Sequence, residues 1–170
     1  IDNYYKKIWE PINQDENLVS FLGLIARIKG LINIDFLQEW SFERATHKSF
    51  NEKAKILFNE ENKALSFFHN SFKQFLLTQT AINYLNNDFD FILHRNYHKQ
   101  LAEYYEKSTI EQRWNQNYHL FESEDFDTFL TVATPENFTN QLLNFRPADE
   151  IKKDINLGIE ISRKQNSLIF

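Results

Sequence analysis

Three histidine placements in this chain have the residue types and spacing that chemistry can use. The first is His69 in "LSFFHNSFKQFLLTQTA", residues 65–81, where an apolar, strand-like run gives way to an amphipathic helical pattern. An imidazole at a helix N-terminus lies where free backbone amides and the helix dipole favour an anion, so it can add a directed hydrogen bond to a phosphate or carboxylate. The same residue can equally be an ordinary boundary histidine bonded to backbone. The second placement is "HRNYH", with His94 and His98 at i and i+4 on a predicted helix, a pair that can meet on one face to hold zinc. Arg95 stands where a catalytic glutamate would be needed, and no third ligand has recognisable spacing. The structural reading is therefore preferred, with His98 near the packing face, His94 solvated and no metal ligand assigned. His119, in "NYHLF", reads as a packed or capping residue.

Other chemistries lack their residues. A phosphate-cradling P-loop needs a glycine-rich run ending in Lys and Ser or Thr, and Gly23, Gly30 and Gly158 are isolated. G-x-S-x-G and H-E-x-x-H are absent as well. No catalytic residue is assigned, and the chain is not expected to be an enzyme or to hold a cofactor by itself.

The elements that must position these histidines follow from composition and period. The 170 residues are 42% hydrophobic and 25% charged, enough for one ordinary domain or two small ones. Seventeen phenylalanines against three glycines and three prolines favour a helical fold with an aromatic core. No cysteine is present, which excludes a disulfide framework and fits the cytoplasm. Nothing in these residues resembles a signal peptide or an apolar span of about 20 residues, so no membrane partner is expected. The absence of an initial methionine and the apolar ending "SLIF" suggest a piece of something longer.

Helical spacing joins Tyr4, Tyr5, Ile8, Trp9 and Ile12, with Pro11 ending or bending the helix. A second helix has Asp15 as N-cap, Leu18, Phe21, Leu22, Ile25 and Ile28 as its stripe, and Gly30 as its stop. A third starts at Asp35 and buries Phe36, Leu37, Trp40 and Ala45. After a weaker helical stretch over 47–53 the period changes to two: Ile56 and Phe58, a polar "NEEN" turn, then Leu65 and Phe67, which reads as a β-hairpin. Three helices and a hairpin is the order of a winged helix, whose third helix is the usual DNA reader. A further helix begins directly after His69, with Ser71 and Gln74 at capping-box spacing. "NNDFD" breaks the pattern, and the remainder reads as short helices between polar linkers. The expected fold class is mainly α, with a winged-helix domain over 1–87 and an all-α helical segment over 88–170.

Charge weighs against nucleic acid. Lys and Arg number 10 against 10 Asp and Glu over 1–87, and 9 against 14 over 88–170, for a net charge of −5. Asp35, Glu39 and Glu43 make the predicted third helix acidic, with Arg44 alone to offset them, so phosphate backbone would be repelled. The aromatic groups "FDF", "YY" and "FF" have no interleaved basic residues and read as core rather than as base-stacking platforms.

"LSFFHNSFKQFLLTQTA" resembles the segment of NACHT-type STAND nucleotidases in which the last wing strand ends in an aromatic-His pair and a phenylalanine-rich helix follows. Phe67, Phe68, His69, Ser71, Phe72, Phe75 and Leu76 carry the likeness. "YHKQLAEYYEK", "NQNYHLFES" and "RPADEIKKDINLGIEI" look like the helices that join the winged helix to a helical or repeat sensor. The resemblance implies a larger signalling or defence ATPase with an N-terminal effector, a P-loop nucleotidase using ADP or ATP with magnesium, this winged helix and a C-terminal sensor, oligomerising on activation. It implies that His69 reaches the β-phosphate of ADP in the resting state, with Phe67 and Phe72 holding the backbone that aims it. The family's usual glutamate in the next turn is Gln74 here, which keeps a cap and removes a charge. The expected role is a non-catalytic, nucleotide-sensing relay whose partners are the nucleotidase and sensor domains of its own protein; the alternative is a DNA-binding winged-helix regulator.

Overall fold

The computed structural model describes the backbone of residues 2–167 and the side chains of residues 4–165; of the terminal "SLIF", all but the Ser167 backbone lies outside the described residues. The fold is mainly helical with a small three-stranded antiparallel sheet. It divides into two compact units, Ile1–Tyr97 and His98–Phe170.

In the first unit, α1 (Asp2–Ile12) runs one residue past Pro11. Next, α2 (Glu16–Arg27) is capped by Asp15, whose carboxylate accepts from the Leu18 amide at 3.0 Å. Then follow β1 (Ile32–Asn33), α3 (Ile34–Gln38) and α4 (Arg44–Ser49), the last prolonged by a π turn over Phe50–Ala54 and a 3-10 turn over Lys55–Leu57. The hairpin is β2 (Phe58–Glu61) and β3 (Ala64–Phe67), and α5 (Asn70–Gln79) completes the series. Strand order is β1-β3-β2, with Ile32 opposite Leu65 and Phe58 opposite Phe67.

Two expectations are corrected. The predicted third helix is not continuous: α3 ends at Gln38, and Ser41–Glu43 are non-helical before α4 starts at Arg44. Trp40, 3% exposed, and Phe42 leave the helical path to pack edge-on against Phe21, with ring centres 5.6 and 5.1 Å away. Edge-to-face pairs of this kind add about 0.5–1.5 kcal/mol each beyond area burial, and Phe50 makes a third at 5.4 Å. The segment directly before the hairpin is therefore α4 and its π turn, not the acidic stretch over 35–43. The hairpin turn also lies later than "NEEN". Asn62 and Lys63 have φ of 50° and 61°, the left-handed pair that a two-residue hairpin turn requires, while Asn59 to Glu61 are strand and Ile56 is exposed.

Past α5, the "NNDFD" break is closed on itself. An isolated bridge pairs Ile82 with Phe89, and Asp90 N donates to Ala81 O at 2.7 Å. α6 (Phe91–Glu106) follows, and the division between units falls within it.

The second unit contains the rest of α6 with α7 (Ile110–Arg113), α8 (Gln116–Glu122), α9 (Phe126–Val132), α10 (Pro135–Leu143) and α11 (Ala148–Ser167). Its core gathers Ala102, Leu120, Phe129 and Ile161, with Phe121, Phe126 and Leu157 packed against them. Asp125 and Thr134 cap α9 and α10 by accepting the Thr128 and Asn137 amides. Among the described residues no helix is long and apolar enough to cross a membrane.

Candidate functional site

His69 is the N-cap of α5. Its backbone is extended, at φ −143° and ψ 135°, and its Nδ1 accepts from the Ser71 amide at 3.2 Å. An Nδ1 that accepts carries no proton in the neutral ring, which leaves the ring proton on Nε2 of an exposed residue. The Ser71 hydroxyl, 2.6 Å from the same Nδ1, must then be its donor, and Ser71 Oγ in turn accepts from the Tyr5 hydroxyl at 2.7 Å. A directional chain thus runs from Tyr5 through Ser71 to His69 and fixes the tautomer. The expected Ser71–Gln74 capping box is not formed, because Ser71 is already inside the helix and His69 takes the cap. On either side the backbone is held by rings: Phe72 is 2% exposed, and Phe67 lies 4.8 Å from Phe58.

His94 is not solvated, as expected from the sequence, but half-buried against Arg27. Arg27, 3% exposed in α2, donates through Nη1 to Gly23 O at 2.7 Å and Thr80 Oγ1 at 3.0 Å, through Nη2 to Leu77 O at 3.3 Å, and through Nε to His94 Nδ1 at 3.1 Å. Its guanidinium also lies 4.5 Å over the Tyr97 ring, which passes so close to Gly23 that a Cβ there would meet Tyr97 Cζ at 2.5 Å. One arginine therefore ties α2, α5 and the start of α6. Because His94 Nδ1 accepts from Arg27, the proton of the neutral ring is on Nε2.

Burial, reinforced by the positive charges of Arg27 and Arg95, pushes the His94 pKa down from 6.5 to about 4. The unfolded chain takes up a proton near pH 6.5 and the folded one only near pH 4, so folding stability is complete above pH 6.5 and is lost as pH falls through that window. At about 1.4 kcal/mol per tenfold in affinity this amounts to roughly 3 kcal/mol, and solvent reaching half of the residue reduces it to about 1–2 kcal/mol. Urea unfolding at pH 7 and pH 4.5 checks this: His94→Gln should remove that much of the wild-type pH dependence, and an unchanged dependence would show that His94 is not held neutral.

His98 and His119, 2% and 0% exposed, lie in the second unit with their Nδ1 atoms 3.0 Å apart, one proton serving the pair. Tyr105 stacks on His119 at 5.2 Å, and Tyr118 meets both imidazoles edge-on. These rings are packed core groups.

Sequence reasoning missed a buried polar group in the second unit. Arg146 Nη1 donates to Asp154 Oδ2 at 2.7 Å and to Gln141 Oε1 at 2.6 Å, and Asn117 Nδ2 donates to the same Asp154 oxygen at 2.9 Å. The signal was slight: a lone arginine before a proline, and an aspartate two turns into the following helix. Arg27 was legible in principle, since it interrupts the apolar run "FLGLIARI" on the buried side of α2. No protein family, no curated protein and no solved structure gives a match to this chain.

Proposed function

We propose that residues 1–87 form a winged helix that serves as the nucleotide-state latch of a NACHT-like STAND nucleotidase, with residues 88–170 as the helical relay toward its sensor, and that the chain itself is not catalytic. The observation that carries this reading is the state of His69. It is exposed at the N-terminus of a ten-residue helix, fixed by Ser71 and Tyr5 as the tautomer with its proton on the outward nitrogen. That is the form a phosphate oxygen accepts from, at the helix end where an anion is favoured. The succession α2, β1, α3, α4, β2, β3, with the short first strand added to the hairpin in the order β1-β3-β2, supports the winged-helix assignment. In this reading ADP with magnesium belongs to the nucleotidase of the same cytoplasmic protein, which would assemble into an oligomer on release. The experiment is ADP release from that protein, compared for wild type and His69 variants.

One observation favours the second reading, a DNA-binding regulator. The helical segment before the hairpin is 44–54, with Arg44, Lys48 and Lys53 against Glu52, so the acidic stretch does not occupy the reader position. Lys48 is partly neutralised by Glu52 at 3.8 Å, and the first unit as a whole holds 11 basic against 12 acidic residues. Neutralised phosphates dominate DNA affinity. The latch reading expects no retarded band when the chain meets duplex DNA at moderate salt; salt-sensitive, sequence-specific retardation would establish the regulator in its place.

A further inference from the structure

A cavity of about 290 Å³ lies within the second unit, lined by α7, α8, the end of α9 at Val132, and α10 with its cap. Its floor is made of carboxamides. Gln116, Asn117 and Gln141 are 4%, 3% and 7% exposed, and all three line it. Asn117 spends its Nδ2 on Asp154 and Gln141 its Oε1 on Arg146, which leaves Asn117 Oδ1 as an acceptor and Gln141 Nε2 as a donor. Gln116 makes no side-chain hydrogen bond among the described residues. Buried carboxamides are ordinarily satisfied within the fold, so a floor that keeps donors and acceptors open marks a place where another molecule supplies them.

The rim says what kind of molecule. Asn137, Asn140, Gln141 and Asn144 recur at i, i+3, i+4 and i+7 along α10 and its cap, so their carboxamides form one row. At 1.5 Å of rise per residue the row is about 10.5 Å long. An extended polypeptide advances about 3.3 Å per residue, so the row matches about three residues. Asn140 offers both groups of a peptide unit, a C=O and an N–H, while Asn137 and Asn144 donate through Nδ2 to Val132 O at 2.8 Å and Asn140 O at 2.7 Å and keep their Oδ1 as acceptors. Among the described residues no carboxylate lines the cavity and Arg113 is the one cation on its wall, which suits an uncharged ligand better than a phosphorylated one.

We propose that the second unit binds an extended peptide segment of about three residues through its backbone, with Gln116, Asn117 and Gln141 reading the central peptide unit and Asn140 and Asn144 the flanking ones. The inference rests on the second unit alone and does not depend on the latch reading.

The probe is acetyl-trialanine amide, added to the full 170-residue chain labelled with nitrogen-15. The side-chain amide signals of Gln116 and Gln141 should move saturably, with half-saturation at ~0.1 mM, the efficiency expected of a ligand of about 19 non-hydrogen atoms. Asn140→Ala, at an exposed position, should raise that concentration roughly fivefold, the worth of one hydrogen bond, while leaving thermal melting unchanged. N-acetylglucosamine and adenosine at the same concentrations should leave the signals in place. Signals that ignore the peptide would mean a cavity that only holds water, and signals that answer the sugar or the nucleoside instead would mean a different ligand; either overturns the proposal, as does an Asn140→Ala chain that binds the peptide as well as wild type.

Discussion

Replacing His69 by asparagine should speed ADP release from a protein in which a P-loop nucleotidase precedes this chain by roughly ten- to a hundred-fold, while leaving the melting of the chain alone unchanged. The two halves of this expectation come from the two ring nitrogens. Nδ1 caps α5 by accepting from the Ser71 amide at 3.2 Å, and a shorter asparagine oxygen performs the same task at an N-cap. Nε2 carries the outward proton, and a hydrogen bond from it to a phosphate is charge-assisted, worth about 1.5–3 kcal/mol in the closed state only. Each 1.4 kcal/mol is about tenfold in an equilibrium, which sets the range. His69→Ala removes both functions, so it should match the asparagine variant in ADP release and in addition lose about 0.5–2 kcal/mol of chain stability. The comparison separates a latch from a cap. If asparagine retains ADP as wild type does, the histidine is a helix cap and nothing more, and the latch reading goes.

What the sequence made legible was mostly local. Asp15 as a cap, the start of α5 directly after His69, and the run of α6 from Phe91 follow from spacing and side-chain chemistry over a few residues. The misplaced elements are those decided by tertiary packing. Helical periodicity ran from Asp35 through Ala45, yet Trp40 and Phe42 gain more by meeting Phe21 than by continuing α3, and the helix breaks. The hairpin turn moved to Asn62 and Lys63 because pairing Phe58 with Phe67 puts two rings on the core side, and lysine at positive φ is no turn signal. In the candidate site, His69 was legible and its partner Tyr5 was not. The two are 64 positions apart, and only folding brings the Tyr5 hydroxyl to Ser71. The carboxamide cavity was likewise invisible, since asparagine and glutamine in short helices read as ordinary solvated surface.

The largest stability effect belongs to Asp154. Its side chain and that of Arg146 are 1% and 2% exposed, and their contact at 2.7 Å is shared with Asn117 and Gln141. Removing one member of such a pair leaves the other charged and out of water, which costs about 3–5 kcal/mol. Asp154→Ala should therefore lower the urea midpoint by that equivalent, and amides of α8, α10 and α11 should lose their protection from hydrogen exchange. The double change Arg146→Met with Asp154→Leu removes both charges together, so it should be less damaging than Asp154→Ala even though Asn117 and Gln141 each lose a partner. That ordering is the diagnostic part. A surface ion pair is worth at most about 1 kcal/mol and shows no such recovery, so an Asp154→Ala chain that unfolds within 1 kcal/mol of wild type would mean that the pair is hydrated in solution, and that the polar floor above it is held in place by something other than this charge.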